Sequence, residues 1–179
     1  MAAKVEKTKK GSIARDGVGV EAERARRYEA HLSVLLINVD GLGLVNGLVG
    51  RKCGDALLAE IAGIVRNNIR KIDVFGRWDA EDFVILTVDR NSFGSIALAE
   101  KLRRAIADQA FEVEGKPVRV TVSIGVARGR PGDEQEIDGL IGAARSAVVR
   151  AKAAGRNRVE YADGGSAAIA VPDLAEPAE

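Results

Sequence analysis

The stretch that most restricts the fold is "FVILTV", residues 83 to 88, a run that is apolar on both faces. A strand of this kind belongs in the middle of a sheet with cover on both sides, because either face left in water would expose a row of large aliphatic groups. The preceding run "DVFGRW" and this one flank Asp79 and Ala80 at hairpin spacing, which puts the carboxylates of Asp79, Glu81 and Asp82 at or beside a hairpin tip.

The rest of the chain supplies the cover. "LSVLLINV", 32 to 39, is a second β-rich apolar run, and "CGDALLAEIAGIVRNNIR" sets Leu57, Leu58, Ile61, Ile64 and Val65 on one helical face. "SIALAEKLRRAIADQ" repeats that spacing with Leu98, Leu102, Ala105 and Ile106. "VRVTVSIGV" alternates Val118, Val120, Val122, Ile124 and Val126 as one strand. A last helix is predicted from about 136 through Ile137, Leu140, Ile141, Ala144, Val148 and Ala151, with Gly155 as its C-terminal cap, and "NRVEY" closes the domain as a short strand. The order predicts an α+β domain with a mainly antiparallel central sheet surrounded by helices, spanning residues 32–162. Residues 1–20 and 163–179 lack periodicity and read as flexible tails, and 21–31 as a short charged lead-in helix.

Composition narrows the function. At 179 residues with 46% hydrophobic side chains the chain has room for one ordinary domain and a real core. Its 27 Lys and Arg against 26 Asp and Glu give a net charge of +1, too little to gather nucleic acid or an acidic membrane surface. Cys53 is the only cysteine, which excludes an internal disulfide and a cysteine metal cluster and fits a reducing compartment; it reads as a small buried thiol. No run approaches the roughly 20 apolar residues of a membrane-spanning helix, and the basic N-terminus lacks a signal peptide's apolar stretch, so a cytoplasmic location is expected.

Several separated motifs, "LLINVDGLGLVN", "GDALL", "IRKIDVFGRWDAEDF", "VTVSIGVA" and "RAKAAGRNRV", occur in an order and spacing that resembles the GGDEF domain, the diguanylate cyclase family, over roughly residues 32–161. The resemblance implies condensation of two GTP, one per subunit of a dimer, into cyclic di-GMP, with metal ions neutralising the phosphates. It also lets each required position be checked. The metal-binding Asp of the family stands as Asn38 here, followed by Val39, whose carbonyl is the second ligand. A neutral amide brings no charge, so Mg²⁺ binding is predicted to weaken. Asp40 shares the strand face with Asn38 and would compensate only with a backbone shift. In the signature, Asp79 and Ala80 replace the two glycines, while Glu81 stands at the metal-ligand acid, Asp82 at the second acid and Phe83 at the closing aromatic. Glycines there allow positive φ and close approach of backbone to nucleotide, which Ala does not, and Asp79 adds negative charge where a triphosphate would lie. Together these changes predict a catalytically inactive, degenerate domain with no resident cofactor, Mg²⁺ entering only if GTP binding or cyclase activity persists.

Other family positions remain. Asn46 and Asp55 match the residues that hydrogen-bond guanine, and Lys152 and Arg156 match the phosphate-binding pair, although helix caps and C-terminal helix cations would look the same. Gly43 and Gly47 replace a usual Lys and Asp, and Gly41-Leu42 replaces an aromatic region. Arg70-Lys71-Ile72-Asp73 lies five residues before the signature, in the register of the family's inhibitory product site. An Arg fork and a carboxylate there suit guanine edges and phosphate. Lys101 and Arg103 are further cation candidates, with surface solvation as the alternative. The sequence thus predicts a cyclic di-GMP receptor acting through Arg70 and Asp73, with an unidentified protein partner and a ligand-dependent homodimer as possible outputs. A weak cyclase, a GTP-binding module and a ligand-free interaction scaffold are the alternatives.

Overall fold

The computed structural model describes Arg27 and residues 30–89, 93–113, 115–130 and 134–162. Both predicted tails and nearly all of the lead-in helix lie outside the described residues; His31, at its end, is already the first residue of a strand. The elements run β1 His31–Val39, α1 Leu42–Val49, α2 Arg51–Asn68, β2 Val74–Arg77, β3 Asp82–Asp89, α3 Phe93–Asp108, β4 Phe111–Val113, β5 Lys116–Val118, β6 Val122–Gly129, α4 Glu134–Ala153 and β7 Val159–Tyr161. Five strands form one sheet in the order β2-β3-β1-β6-β7, antiparallel except for the β6–β7 pair, and β4 and β5 make a separate hairpin. This is the α+β architecture the sequence predicts, with β3 and β1 inside the sheet.

Side-chain alternation along these strands builds two cores. Leu35, Ile37 and Val39 of β1, Phe83 and Ile85 of β3, and Val122, Ile124 and Val126 of β6 face one way, against Leu57, Ile61 and Val65 of α2 and Leu102 and Ile106 of α3. Leu32, Val34 and Leu36, Val84 and Leu86, and Ala127 face the other way, against Ile137, Ile141, Ala144 and Val148 of α4. Neither face is left to water. The close seating of α4 depends on Gly125, since a Cβ there would lie 2.0 Å from the Ala144 carbonyl oxygen.

Two sequence expectations need correction. The alternation from Val118 to Val126 is not one strand: β5 ends at Val118, β6 begins at Val122, and they belong to different sheets. Val120 and Val122 are both buried in the α2–α3 core, so the valine pattern continues through the break while the hydrogen-bond partners change. The β4–β5 hairpin is absent from the sequence reading; Phe111 fastens it, fully buried in that core, an anchor on the order of 2 kcal/mol. Cys53, expected to be buried, is half-buried on α2. Gly155 caps α4 as predicted: its φ is +115°, its amide donates to the Lys152 carbonyl at 3.3 Å, and the Arg156 amide donates to the Ala151 carbonyl at 2.9 Å.

Candidate functional site

The strand period that builds the α4-side core also builds the site. Asn38 follows Leu36 on that face, Asp82 precedes Val84, and Ser123 precedes Gly125, so the apolar face turns polar at the end of the sheet nearest the β2–β3 hairpin. Asn38 pairs in register with Asp82 on one side and Ser123 on the other. Asn38 is 5% exposed, and its Nδ2 donates to Asp82 Oδ1 at 2.7 Å. An ionised carboxylate only accepts, so the pair fixes the amide with its NH₂ toward Asp82. The amide oxygen, Asn38 Oδ1, is then buried with no partner. On the far side of Asp82, Arg145 Nη2 of α4 lies 3.8 Å from Oδ2.

Asp40 is committed elsewhere. Its carboxylate accepts from Thr121 Oγ1 at 2.8 Å, from Ser123 Oγ at 2.7 Å and from the Asn157 amide at 3.2 Å. It ties the end of β1 to the entrance of β6 and to the loop after α4. In that loop Arg156 and Asn157 both take positive φ, 63° and 45°, a conformation Asn tolerates and Arg adopts only under constraint. Asn157 Oδ1 in turn accepts from Arg103 Nη1 at 3.0 Å, and Arg103 Nε donates to Glu100 Oε2 at 3.0 Å. Burial first, and Glu100 second, push the Tyr161 hydroxyl well above the usual tyrosine range.

At the hairpin tip the Arg77 guanidinium folds back over the turn, donating from Nε to the Asp79 carbonyl at 3.2 Å and from Nη2 to the Ala80 carbonyl at 2.5 Å. The Ala80 amide donates to Asp79 Oδ1 at 2.8 Å, and the Val39 amide to the Glu81 carbonyl at 3.2 Å. Phe83 is a core residue, 5.6 Å centroid to centroid from Phe75, over which the Arg66 guanidinium lies at 5.4 Å.

The structure seats Asn46 against the residue that precedes Asp55. Asn46 of α1 lies over Gly54 of α2, where a Cβ would fall 1.9 Å from Asn46 Oδ1, and Asp55 is the next residue. Asn46 Oδ1 is buried without a partner, and exposed Asp55 lies 3.9 Å from Arg77 Nη2. Lys152 is half-buried near the end of α4 and Arg156 is exposed; neither side chain has a hydrogen bond or ion pair among the described residues.

Arg70 and Asp73 form the turn from α2 into β2. The Arg70 amide donates to Asp73 Oδ2 at 2.8 Å and the Asp73 amide donates to the Arg70 carbonyl at 3.1 Å, so the pair is linked through backbone rather than by an ion pair. The Arg70 guanidinium is exposed, with no partner among the described residues. Lys101 is likewise exposed and unpaired there, whereas Arg103 is held by Glu100 and Asn157.

Whether the residues at the hairpin fit a divalent cation can be tested on this geometry. A hard cation needs several convergent oxygens carrying negative charge. Here the Asn38 NH₂ faces Asp82, a guanidinium stands beyond it, and among the described residues no three His, Cys, Asp or Glu side chains gather as a metal would require. With an amide at 38, Glu81 is the one charged side chain left at the family's ligand positions, beside the Val39 carbonyl, and such a set does not fit Mg²⁺. Sequence reasoning missed Arg77, Arg145 and Asn157. Arg77 is adjacent to the signature and was open to notice, while Arg145 and Asn157 lie far along the chain and only the fold brings them in.

Comparison with known proteins places this architecture. The family profile "Diguanylate cyclase, GGDEF domain" matches residues 13–158. The chain belongs to the GGDEF domain family. It is 30% identical over 128 residues to diguanylate cyclase A of Treponema denticola, a match covering 72% of this chain and 34% of that protein. It is 39% identical over 127 residues to diguanylate cyclase DgcM of Escherichia coli, covering 71% and 30%. The chain therefore spans about a third of the length of these relatives. Among solved structures, an active GGEEF domain of a diguanylate cyclase from Vibrio cholerae superposes with a TM-score of 0.74 at 26% identity, covering 86% of this chain and 96% of that one. The GGDEF domain of DgcB from Caulobacter crescentus, solved with c-di-GMP, superposes at 0.78 with 17% identity over 92% and 99%, a likeness of fold.

Proposed function

We propose that this chain is a GGDEF-family domain without cyclase activity that acts as a cyclic di-GMP receptor through Arg70 and Asp73. The observation that carries the reading is the α2–β2 turn. Reciprocal backbone bonds between Arg70 and Asp73 hold the two residues in one exposed turn while leaving the guanidinium uncommitted. A free, planar guanidinium beside a carboxylate that keeps spare acceptor capacity matches a guanine's O6 and N7 acceptors and its N1 and N2 donors, or a phosphate. The fold itself holds c-di-GMP in DgcB. Lys101 is open to add charge, whereas recruiting Arg103 would mean breaking its bond to Asn157.

Loss of catalysis follows from the hairpin. An active site of this kind needs charge neutralisation by metal and close approach of backbone amides to phosphate. Asn38 removes the first, and the tip carbonyls gathered under Arg77 replace the second. A deficit of only ~4 kcal/mol in transition-state stabilisation is about a thousandfold in rate. Incubation of purified protein with GTP and Mg²⁺ or Mn²⁺ checks this: no cyclic di-GMP is the expected result, and product in proportion to enzyme contradicts it.

A second reading has its own observation. Asn46 Oδ1 is buried and unpartnered against Gly54, one residue before Asp55, an acceptor that a guanine's donors would satisfy once the amide turned outward. Calorimetric titration with GTP separates the two, since a GTP module depends on Asn46, Asp55, Lys152 and Arg156 and is indifferent to Arg70. The output of the receptor is a protein contact or a ligand-dependent homodimer, and light scattering with and without cyclic di-GMP reads the latter directly.

A further inference from the structure

Asp82 is held by protein groups at both carboxylate oxygens. Asn38 Nδ2 donates to Oδ1 at 2.7 Å, and Arg145 Nη2 stands 3.8 Å from Oδ2. Arg145 reaches that point because of how α4 is seated. The helix backbone at Ala144 packs against Gly125 of β6, with no room for a Cβ, and Gly125 lies two residues along the face from Ser123, the register partner of Asn38. The residue after Ala144 is thereby delivered to the polar end of the sheet. We propose that Arg145 is an internal counter-ion at Asp82, the acid next to the metal-ligand position Glu81, so that the hairpin is closed to Mg²⁺ and Mn²⁺ by Asn38 and Arg145 together rather than by the loss of one ligand.

Three effects act in the same direction. The amide at 38 contributes no charge. Its NH₂, carrying partial positive charge, faces the acid, while its only oxygen is turned away and buried. A cation arriving at Asp82 must also displace or repel the guanidinium. Restoring the carboxylate at 38 alone leaves the last obstacle in place. This predicts that the two positions are coupled, and it deepens the inactive half of the reading above without touching the Arg70–Asp73 turn.

The test is calorimetric titration of the full chain with Mn²⁺, alongside the Mn²⁺-induced shift in melting temperature, for the parent, Asn38→Asp, Arg145→Gln and the double variant. The parent is expected to show no saturable binding, and the double variant to bind at least about tenfold more tightly than Asn38→Asp alone. Three results overturn the proposal: a parent that binds as tightly as the double variant, an Asn38→Asp single variant that equals it, or a double variant that takes up no Mn²⁺. If the double variant does not fold, Asn38→Asp/Arg145→Met, which keeps an unbranched stem at the helix position, decides. Saturating Mn²⁺ must raise its melting temperature more than that of Asn38→Asp alone, and an equal response in those two rejects the counter-ion role. Cyclic di-GMP titration of the same variants reads the receptor site separately, so failure of one claim is distinguishable from failure of the other.

Discussion

The Asp40 carboxylate accepts from two hydroxyls and one backbone amide, all drawn from elements far from it in sequence. Removing it leaves Thr121, Ser123 and Asn157 short of an acceptor and frees a loop held in left-handed backbone conformation. Asp40→Ala should therefore cost about 2–3 kcal/mol in urea unfolding, more than an exposed acid would. Gly54→Ala makes a complementary case: its new Cβ meets Asn46 Oδ1 at 1.9 Å, so the amide must leave its place. That amide is the end of a side chain and its oxygen holds no hydrogen bond, while Ala is favoured over Gly inside a helix by roughly 1 kcal/mol. A net change within about 1 kcal/mol is therefore expected in the same measurement. His31, the only histidine, has its pKa lowered from 6.5 by burial first and then by Arg128 and Arg130. The folded state thus takes its proton less readily than the unfolded chain. Its contribution is complete above pH 6.5 and is lost as pH falls below that value. Denaturation curves from pH 8 to 5, as a rough working range, should show a small decline that His31→Gln removes. At this scale the sequence reading singles out Asn38, Glu81, Asp82, Arg70 and Asp73 but not the long-range contacts around them. No periodicity says that residue 145 meets residue 82, or that residue 103 meets residue 157, because such contacts are set by helix seating and loop conformation.

The elements divide by how locally they are determined. The predicted helices α2, α3 and α4 were legible because each repeats aliphatic residues at helical spacing over two or more turns, and the structure buries most of those residues, with Ile64, Leu98, Ala105 and Leu140 half-buried. The core strands β1 and β3 were legible because a run apolar on both faces has nowhere else to go. The β5–β6 junction was not, because Val118, Val120 and Val122 all pack toward one core while the strand changes sheets, and the buried pattern carries no record of the backbone partner. Gly125 is a different case. Nothing in "SIGVA" reveals that a helix backbone lies against its Cα, yet a methyl group there would lie 2.0 Å from the Ala144 oxygen. Gly125→Ala should cost roughly 2–3 kcal/mol by forcing α4 outward. Because Arg145 rides on the same helix, it should also weaken the Arg145–Asp82 contact. Comparing the chemical shift of the Asp82 carboxylate in the parent and Gly125→Ala chains would show whether α4 carries that contact.

Across the whole molecule, one sheet face is divided between packing and chemistry. Its apolar part binds α4, and its polar end gathers Asn38, Asp82 and Ser123 next to the hairpin. In this family such an end is where metal and nucleotide would be held. Here its acid, Asp82, is answered by the Asn38 amide and by Arg145, while Arg77 folds over the carbonyls of the hairpin tip. The α2–β2 turn lies outside that arrangement, and its guanidinium is uncommitted. The receptor claim therefore rests on one exposed arginine whose removal should leave the fold intact, within about 0.5 kcal/mol of the parent. The most direct measurement is isothermal titration of the parent and of Arg70→Ala with cyclic di-GMP under identical conditions. The account predicts saturable binding by the parent and a loss of roughly tenfold or more, at least ~1.4 kcal/mol, in the variant. Absence of binding by the parent at high micromolar ligand, or equal affinity in the two proteins, would contradict it.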